Sequence, residues 1–239
     1  MPRTGFAAIG TVYTVSVDVR RALLVSFAVI PLVLPLRAIG RPGPDQPARN
    51  PQVLDRPVLV CYGDSITAGY GLSAGQSFPN ALQHLLDGQG YRYKVINLGT
   101  SGATTKDAVE GLPSVLRLHP SVVIVEFGGN DGLRGLPLAD TRRNLDTVLT
   151  RLEAAHIRVL LAGITLPPNY GAGYIRQFNQ IFPDLAARHH TAVVPMIYKD
   201  LLHVPGTIQH DGIHPTAKGS RIIARTLLPA LRPLLRKAR

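Results

Sequence analysis

Residues 58–72 read VLVCYGDSITAGYGL. A run of apolar and small side chains over 58–62 leads directly into Gly63-Asp64-Ser65, and glycines recur at Gly69 and Gly71. A near-continuous apolar run of this length reads as a strand buried on both faces, the pattern of a parallel sheet. Gly, Asp and Ser are ordinary turn formers. The carboxyl end of such a strand is also where an open α/β sheet carries its chemistry.

Working outward, the pattern repeats. Apolar, β-branched runs at 58–62, 93–98, 122–127, 158–164 and 192–196 predict five strands. Helical spacing follows each, over 78–86, to about 118, over 140–155, over 174–189 and over 216–235. Pro183 is expected to kink or split the fourth of these helices, and Pro229 to bend the last. Five strand–helix units predict a three-layer α/β/α sandwich around a five-stranded parallel sheet.

The formal charge of +11 invites a nucleic-acid reading. Its distribution argues otherwise: residues 51–220 hold fourteen bases and thirteen acids, so the surplus sits at the two ends. No basic face with readout elements is apparent, and no nucleic-acid partner is expected. Cys61 is the single cysteine, so no intrachain disulfide can form.

Arg20-Arg21 precede ALLVSFAVIPLVLPL, a 15-residue apolar run too short for a comfortable membrane span. It reads as the core of a signal sequence, with LRAIG at 36–40 as a weak cleavage site. The alternative is an uncleaved anchor. Residues 40–57 contain five prolines and read as a linker. The expected organisation is an N-terminal extension and signal sequence over 1–39, the linker over 40–57, and one domain over 58–239. The expected location is exported, periplasmic or membrane-associated, with peripheral membrane contact through the apolar segment or the basic C-terminus. The chain is expected to be a monomer.

Polar residues gather at the predicted strand ends: Asp64-Ser65 after the first, Gly99 after the second, Gly128 to Asp131 after the third, and His210 to Pro215 before the last helix. A serine hydroxyl needs a neighbouring imidazole to take its proton. The imidazole in turn needs a carboxylate on its other nitrogen. Ser65, His214 and Asp211 supply these parts, and the Ser65 and Gly99 N–H groups with the Asn130 amide could hold a tetrahedral oxyanion. Each residue alone is an ordinary turn or cap residue. A metal site at His203, His210, Asp211 and His214 is a weaker alternative, because the spacing matches no H-E-x-x-H type pattern. No cofactor is expected.

GDSI over 63–66, NLGTSGATT over 97–105, EFGGNDGLRG over 126–135 and DGIHP over 211–215 together resemble the GDSL, or SGNH, hydrolase family, and most closely its bacterial thioesterase, lysophospholipase and arylesterase branch. The resemblance runs from about residue 58 through the final helix. It implies a flavodoxin-like fold and a serine esterase that cleaves acyl esters and thioesters. Ser65 would be nucleophile, His214 base and Asp211 its orienting acid, with Gly99 and Asn130 completing the oxyanion hole. Asp64 and the loop Leu166, Pro167, Pro168, Asn169 and Tyr170 would bind substrate, the loop as a partly mobile wall for an acyl chain. Ile66 stands where the family name has leucine, a change that keeps an apolar side chain. Other readings on the same scaffold are a carbohydrate O-deacetylase and a non-catalytic lipid carrier.

Overall fold

The structure, a computed structural model, describes residues 56–237. The expected signal sequence and nearly all of the expected linker lie outside the described residues.

Five parallel strands form the centre. They are β1 (Val58–Gly63), β2 (Lys94–Gly99), β3 (Val122–Glu126), β4 (Arg158–Ala162) and β5 (Ala192–Val194), in the spatial order β2-β1-β3-β4-β5. Every residue of β3 is buried, which accounts for its unbroken apolar sequence, whereas β2 at the edge is half-buried. The chain steps from β1 outward to β2 and then returns past β1 to β3, so the order reverses between β1 and β3. Loops diverge at such a reversal and leave a crevice at the carboxyl ends of the strands.

The helices are α1 (Ser65–Ala68), α2 (Phe78–Gly88), α3 (Thr105–Leu116), α4 (Gly129–Leu133), α5 (Leu138–Ala154), α6 (Ala172–Arg188) and α7 (Ala217–Leu231). α2 packs on α7 along one side of the sheet, and α3, α5 and α6 pack in succession along the other. Fully buried Phe78, Leu82 and Leu86 of α2 and Ile223, Leu227 and Leu231 of α7 form one half of the core. Leu112, Leu145, Val148, Phe178 and Phe182 contribute to the other. Each such side chain is worth about 1.5–3 kcal/mol in apolar burial.

Three expectations change. β4 and β5 stop short of residues 164 and 196, because the Gly163 peptide takes over the pairing: its N–H donates to the Val194 carbonyl at 2.8 Å and its carbonyl accepts from Ile197 N–H at 2.9 Å. α6 is also one continuous helix through Pro183 rather than two pieces. The short helices α1 and α4 lie outside the helical stretches expected from sequence, and both sit at the reversal point.

Candidate active site

β1 delivers its last residue, Gly63, against the Glu126 end of β3. The turn there admits no side chain, since a Cβ on Gly63 would lie 2.0 Å from Thr67 Oγ1 and 2.7 Å from the Glu126 carbonyl oxygen. Asp64 then caps α1, its Oδ1 accepting from Ile66 N–H at 3.0 Å. Ser65 is the first residue of that helix. Among the described residues no acceptor meets the Ser65 N–H, as expected at the first turn of a helix.

His214 arrives from the loop before α7. Its Nε2 lies 2.8 Å from Ser65 Oγ and its Nδ1 lies 2.6 Å from Asp211 Oδ2. Asp211 Oδ1 accepts from the backbone N–H groups of Ile213 (2.9 Å) and His214 (3.0 Å), so the carboxylate closes its own turn while it holds the ring. Burial alone would raise the Asp211 carboxyl, but those two N–H groups and the imidazole outweigh it and hold the pKa down to about 2. The Tyr198 hydroxyl donates to the Ile213 carbonyl at 2.8 Å and braces the same loop from below. Tyr70 lies over the imidazole, its ring centroid 4.7 Å from that of His214. Both imidazole nitrogens are thus engaged, and among the described residues no three His, Cys, Asp or Glu side chains are grouped as metal ligands would be.

Asn130 lies in α4, after β3. Its Nδ2 donates to the Ala103 carbonyl at 2.9 Å and to Asp64 Oδ2 at 3.2 Å. Asp64 therefore links the nucleophile helix to Asn130. It is only 2% exposed, so it works from beneath the surface rather than on a substrate. Burial pushes its carboxyl up to about 6, against the opposing pull of the Ile66 N–H. Glu126 lies deeper, fully buried. Its Oε2 accepts from the Thr67 hydroxyl at 2.8 Å, whereas its Oε1 has no partner among the described residues. Burial and the neighbouring Asp64 charge raise Glu126 well above the usual carboxylate range.

The structure gives Gly99 a place other than the expected one. Its N–H already donates to Asn97 Oδ1 at 2.9 Å, and a Cβ would lie 2.1 Å from Ala68 N. Gly99 lets the end of β2 press against α1. Asn97 completes that contact through Nδ2, which donates to the Thr67 carbonyl at 2.9 Å. Three residues on, Gly102 adopts a left-handed φ of 80°, and among the described residues no acceptor meets its N–H. Its neighbour Ala103 is the residue whose carbonyl holds Asn130. Sequence reasoning missed Gly102, although the second glycine of GTSG was the available signal.

The 166–170 loop packs against α4. Leu166 is 4% exposed and packs where a Cβ on Gly132 would stand, 2.6 Å from Leu166 Cδ2. Pro168–Tyr170 form a 3-10 turn, and the Tyr170 hydroxyl donates to the Leu133 carbonyl at 2.8 Å. Pro168 and Asn169 are exposed, and Pro167 is partly so. Only these and Tyr170 of the expected wall can face solvent. A cavity of about 570 Å³ borders the 99–103 loop, with Leu98, Gly102, Ala103 and Phe127 among its lining.

A serine, histidine and aspartate joined in series at the carboxyl edge of a five-stranded parallel sheet fit a serine hydrolase, and the fold is that of SGNH hydrolases. The GDSL-like Lipase/Acylhydrolase family matches residues 61–222, and the chain belongs to that family. It is an enzyme, a hydrolase of the esterase class. The chain is similar to "Esterase TesA" of Pseudomonas aeruginosa, with 40% identity over 178 residues that span 74% of this chain and 89% of the relative. It is 36% identical to "Thioesterase 1/protease 1/lysophospholipase L1" of Escherichia coli K12, over 74% of this chain and 84% of that one. The crystal structure of TesA superposes with a TM-score of 0.72 at 40% identity, covering 74% of this chain and 99% of its own.

Proposed function

We propose that the chain cleaves acyl esters and thioesters through a covalent acyl-enzyme on Ser65. The observation that carries this reading is the unbroken series from Ser65 Oγ to His214 Nε2 (2.8 Å) and from His214 Nδ1 to Asp211 (2.6 Å). His214 Nε2 takes the Ser65 proton as Oγ bonds to the substrate carbonyl carbon, and Asp211 stabilises the resulting imidazolium. Collapse of the tetrahedral intermediate breaks the bond to the alcohol or thiol, which leaves with the proton from Nε2. Water then repeats the sequence on the acyl-enzyme, freeing the carboxylic acid and restoring Ser65.

The oxyanion is held, in this reading, by the Ser65 N–H, the Gly102 N–H and Asn130 Nδ2. The first two donors have no acceptor among the described residues. Asn130 reaches the oxyanion by sharing its longer bond, the 3.2 Å contact to Asp64. The relatives named as esterase and thioesterase support both substrate classes. Export forms part of the same proposal and rests on Arg20-Arg21 and the apolar run over 22–36.

The test combines a fluorophosphonate probe with a substrate series. The wild type should be labelled at Ser65, and it should hydrolyse p-nitrophenyl esters of rising chain length and an acyl-CoA. Labelling at a different serine, or labelling that survives Ser65→Ala, overturns the assignment.

A further inference from the structure

We propose that the outer face of α7 and its C-terminal extension docks on an anionic phospholipid bilayer. Lys218, Arg221, Arg225, Arg232, Arg236 and Lys237 are all exposed, and no acid occurs between Lys218 and Lys237. Spacings of three and four residues from Lys218 to Arg225, and again through Pro229 to Arg232, keep them on one side, while Ile223, Leu227 and Leu231 turn inward.

Lys218 Nζ donates to the Pro205 carbonyl at 2.9 Å and Arg232 to Gln89 Oε1 at 3.1 Å, but Arg221 and Arg225 have no such partner among the described residues. Cations in the last turn of a helix suit its dipole, but Lys218 and Arg221 sit in the first turns, where the dipole opposes them. Arg221 and Arg225 are like charges one turn apart, an arrangement that destabilises an isolated helix. Neither makes a salt bridge within the described residues. The acids bordering the face are otherwise engaged: Asp87 of α2 pairs with Arg56 at 3.1 Å, and Asp200 accepts from the Thr226 hydroxyl at 2.7 Å.

The same two arginines line a cleft of about 300 Å³ between α2 and α7, with His84 beside them and Ala81 and Leu85 as its apolar floor. Two guanidinium groups over an apolar floor suit a phosphodiester head attached to a glycerol and acyl stem. A row of cations on either side of that cleft suits a surface of such heads rather than one free anion. α7 begins three residues after His214, so a bilayer on this face lies beside the loop that carries the base.

The test uses the full chain, with vesicles of phosphatidylcholine alone or with phosphatidylglycerol as about 30% of the lipid. Because Cys61 is fully buried, an environment-sensitive thiol probe can be placed at Pro229→Cys on the cationic face, or at exposed Thr150→Cys on α5 as control. The 229 probe should shift to the blue on the anionic vesicles only, and about 1 M salt should reverse the shift. Neutralising both residues (Arg221→Gln, Arg225→Gln) should lower the anionic-vesicle partition coefficient by about 25-fold, roughly fivefold per charge. Hydrolysis of a soluble short-chain ester should be unchanged. The proposal is overturned if the 229 probe responds no more than the 150 probe, even where the apolar segment over 22–36 holds the chain on every vesicle. It is equally overturned if a single-stranded oligonucleotide shifts the 229 probe and vesicles do not.

Discussion

Gln209 joins the loop of the nucleophile to the loop of the base. Its Nε2 donates to the Tyr70 carbonyl at 2.8 Å and to the Pro215 carbonyl at 2.9 Å. Gly71 leaves the room, since a Cβ there would lie 2.4 Å from Gln209 Oε1. The Ser65 and His214 loops are therefore tied together by a residue outside the Ser65–His214–Asp211 series.

Gln209→Ala should lower kcat by about tenfold to a hundredfold, because a misplaced base loses rate steeply with distance. KM should change little and the far-UV spectrum should be that of the wild type. Steady-state kinetics on a p-nitrophenyl ester would check this, and an unchanged kcat would show that the two loops hold their spacing without the bridge.

Asn130→Ala should cost about 10²–10³ in kcat with a smaller effect on KM, as for the loss of one oxyanion donor. The same change frees Asp64 Oδ2 and the Ala103 carbonyl, so a modest loss of thermal stability should accompany it. Equal rates in variant and wild type would reduce Asn130 to a brace between those two groups.

The two halves of the HDGIHP turn should behave differently. Asp211→Asn should cost several orders of magnitude in kcat, because the amide no longer holds the proton on Nδ1 or stabilises the imidazolium. His210→Asn should cost far less. With its pKa held down to about 2, Asp211 stays ionised through mildly acidic solution. Any loss of activity between pH 7 and 4 therefore reports a different group, and a kcat/KM profile of the His210 variant that matches the wild type would agree.

Stability should carry a separate pH signature from the Asp64–Glu126 pair. Both carboxyls are raised by burial, Asp64 to about 6 and Glu126 well above its ordinary value. Above a pH of about 4 the unfolded chain has released these protons while the folded chain still holds them, so stability falls as pH rises. The fall continues as pH rises through the folded values of the two groups. The melting temperature should be higher at pH 5 than at pH 8, and Glu126→Gln should shrink the difference. If the variant loses as much as the wild type between the two pH values, the pair is not the source.

Much of the site was legible because its parts are local in sequence. Asp211 and His214 lie three residues apart in one turn, and Asp64-Ser65 directly follow an apolar strand. Gly99 shows where local reading fails. As the glycine that ends a strand it looked like an open donor, but its N–H is spent on Asn97, and only the packing of β2 on α1 reveals this. Leu166 fails for a similar reason: an apolar residue in a Pro- and Gly-rich loop gives no hint that it fills the gap over Gly132.

The alternation of apolar strands and amphipathic helices by itself determined the five-stranded parallel sheet, because burying both faces of such strands requires helices on each side. It also determined which strand ends carry polar chemistry at Asp64-Ser65, Gly99 and Gly128 to Asp131, while the Asp211–His214 turn precedes the last helix rather than following its strand. Strand order, and with it the reversal between β1 and β3 that brings Ser65 beside Asn130, was decided by tertiary structure. So were the Gln209 bridge across 139 residues, the Gly102 N–H that meets no acceptor among the described residues, and the burial that raises both Asp64 and Glu126. Each depends on distances between segments far apart in the chain, and hydrophobic periodicity carries no information about those distances.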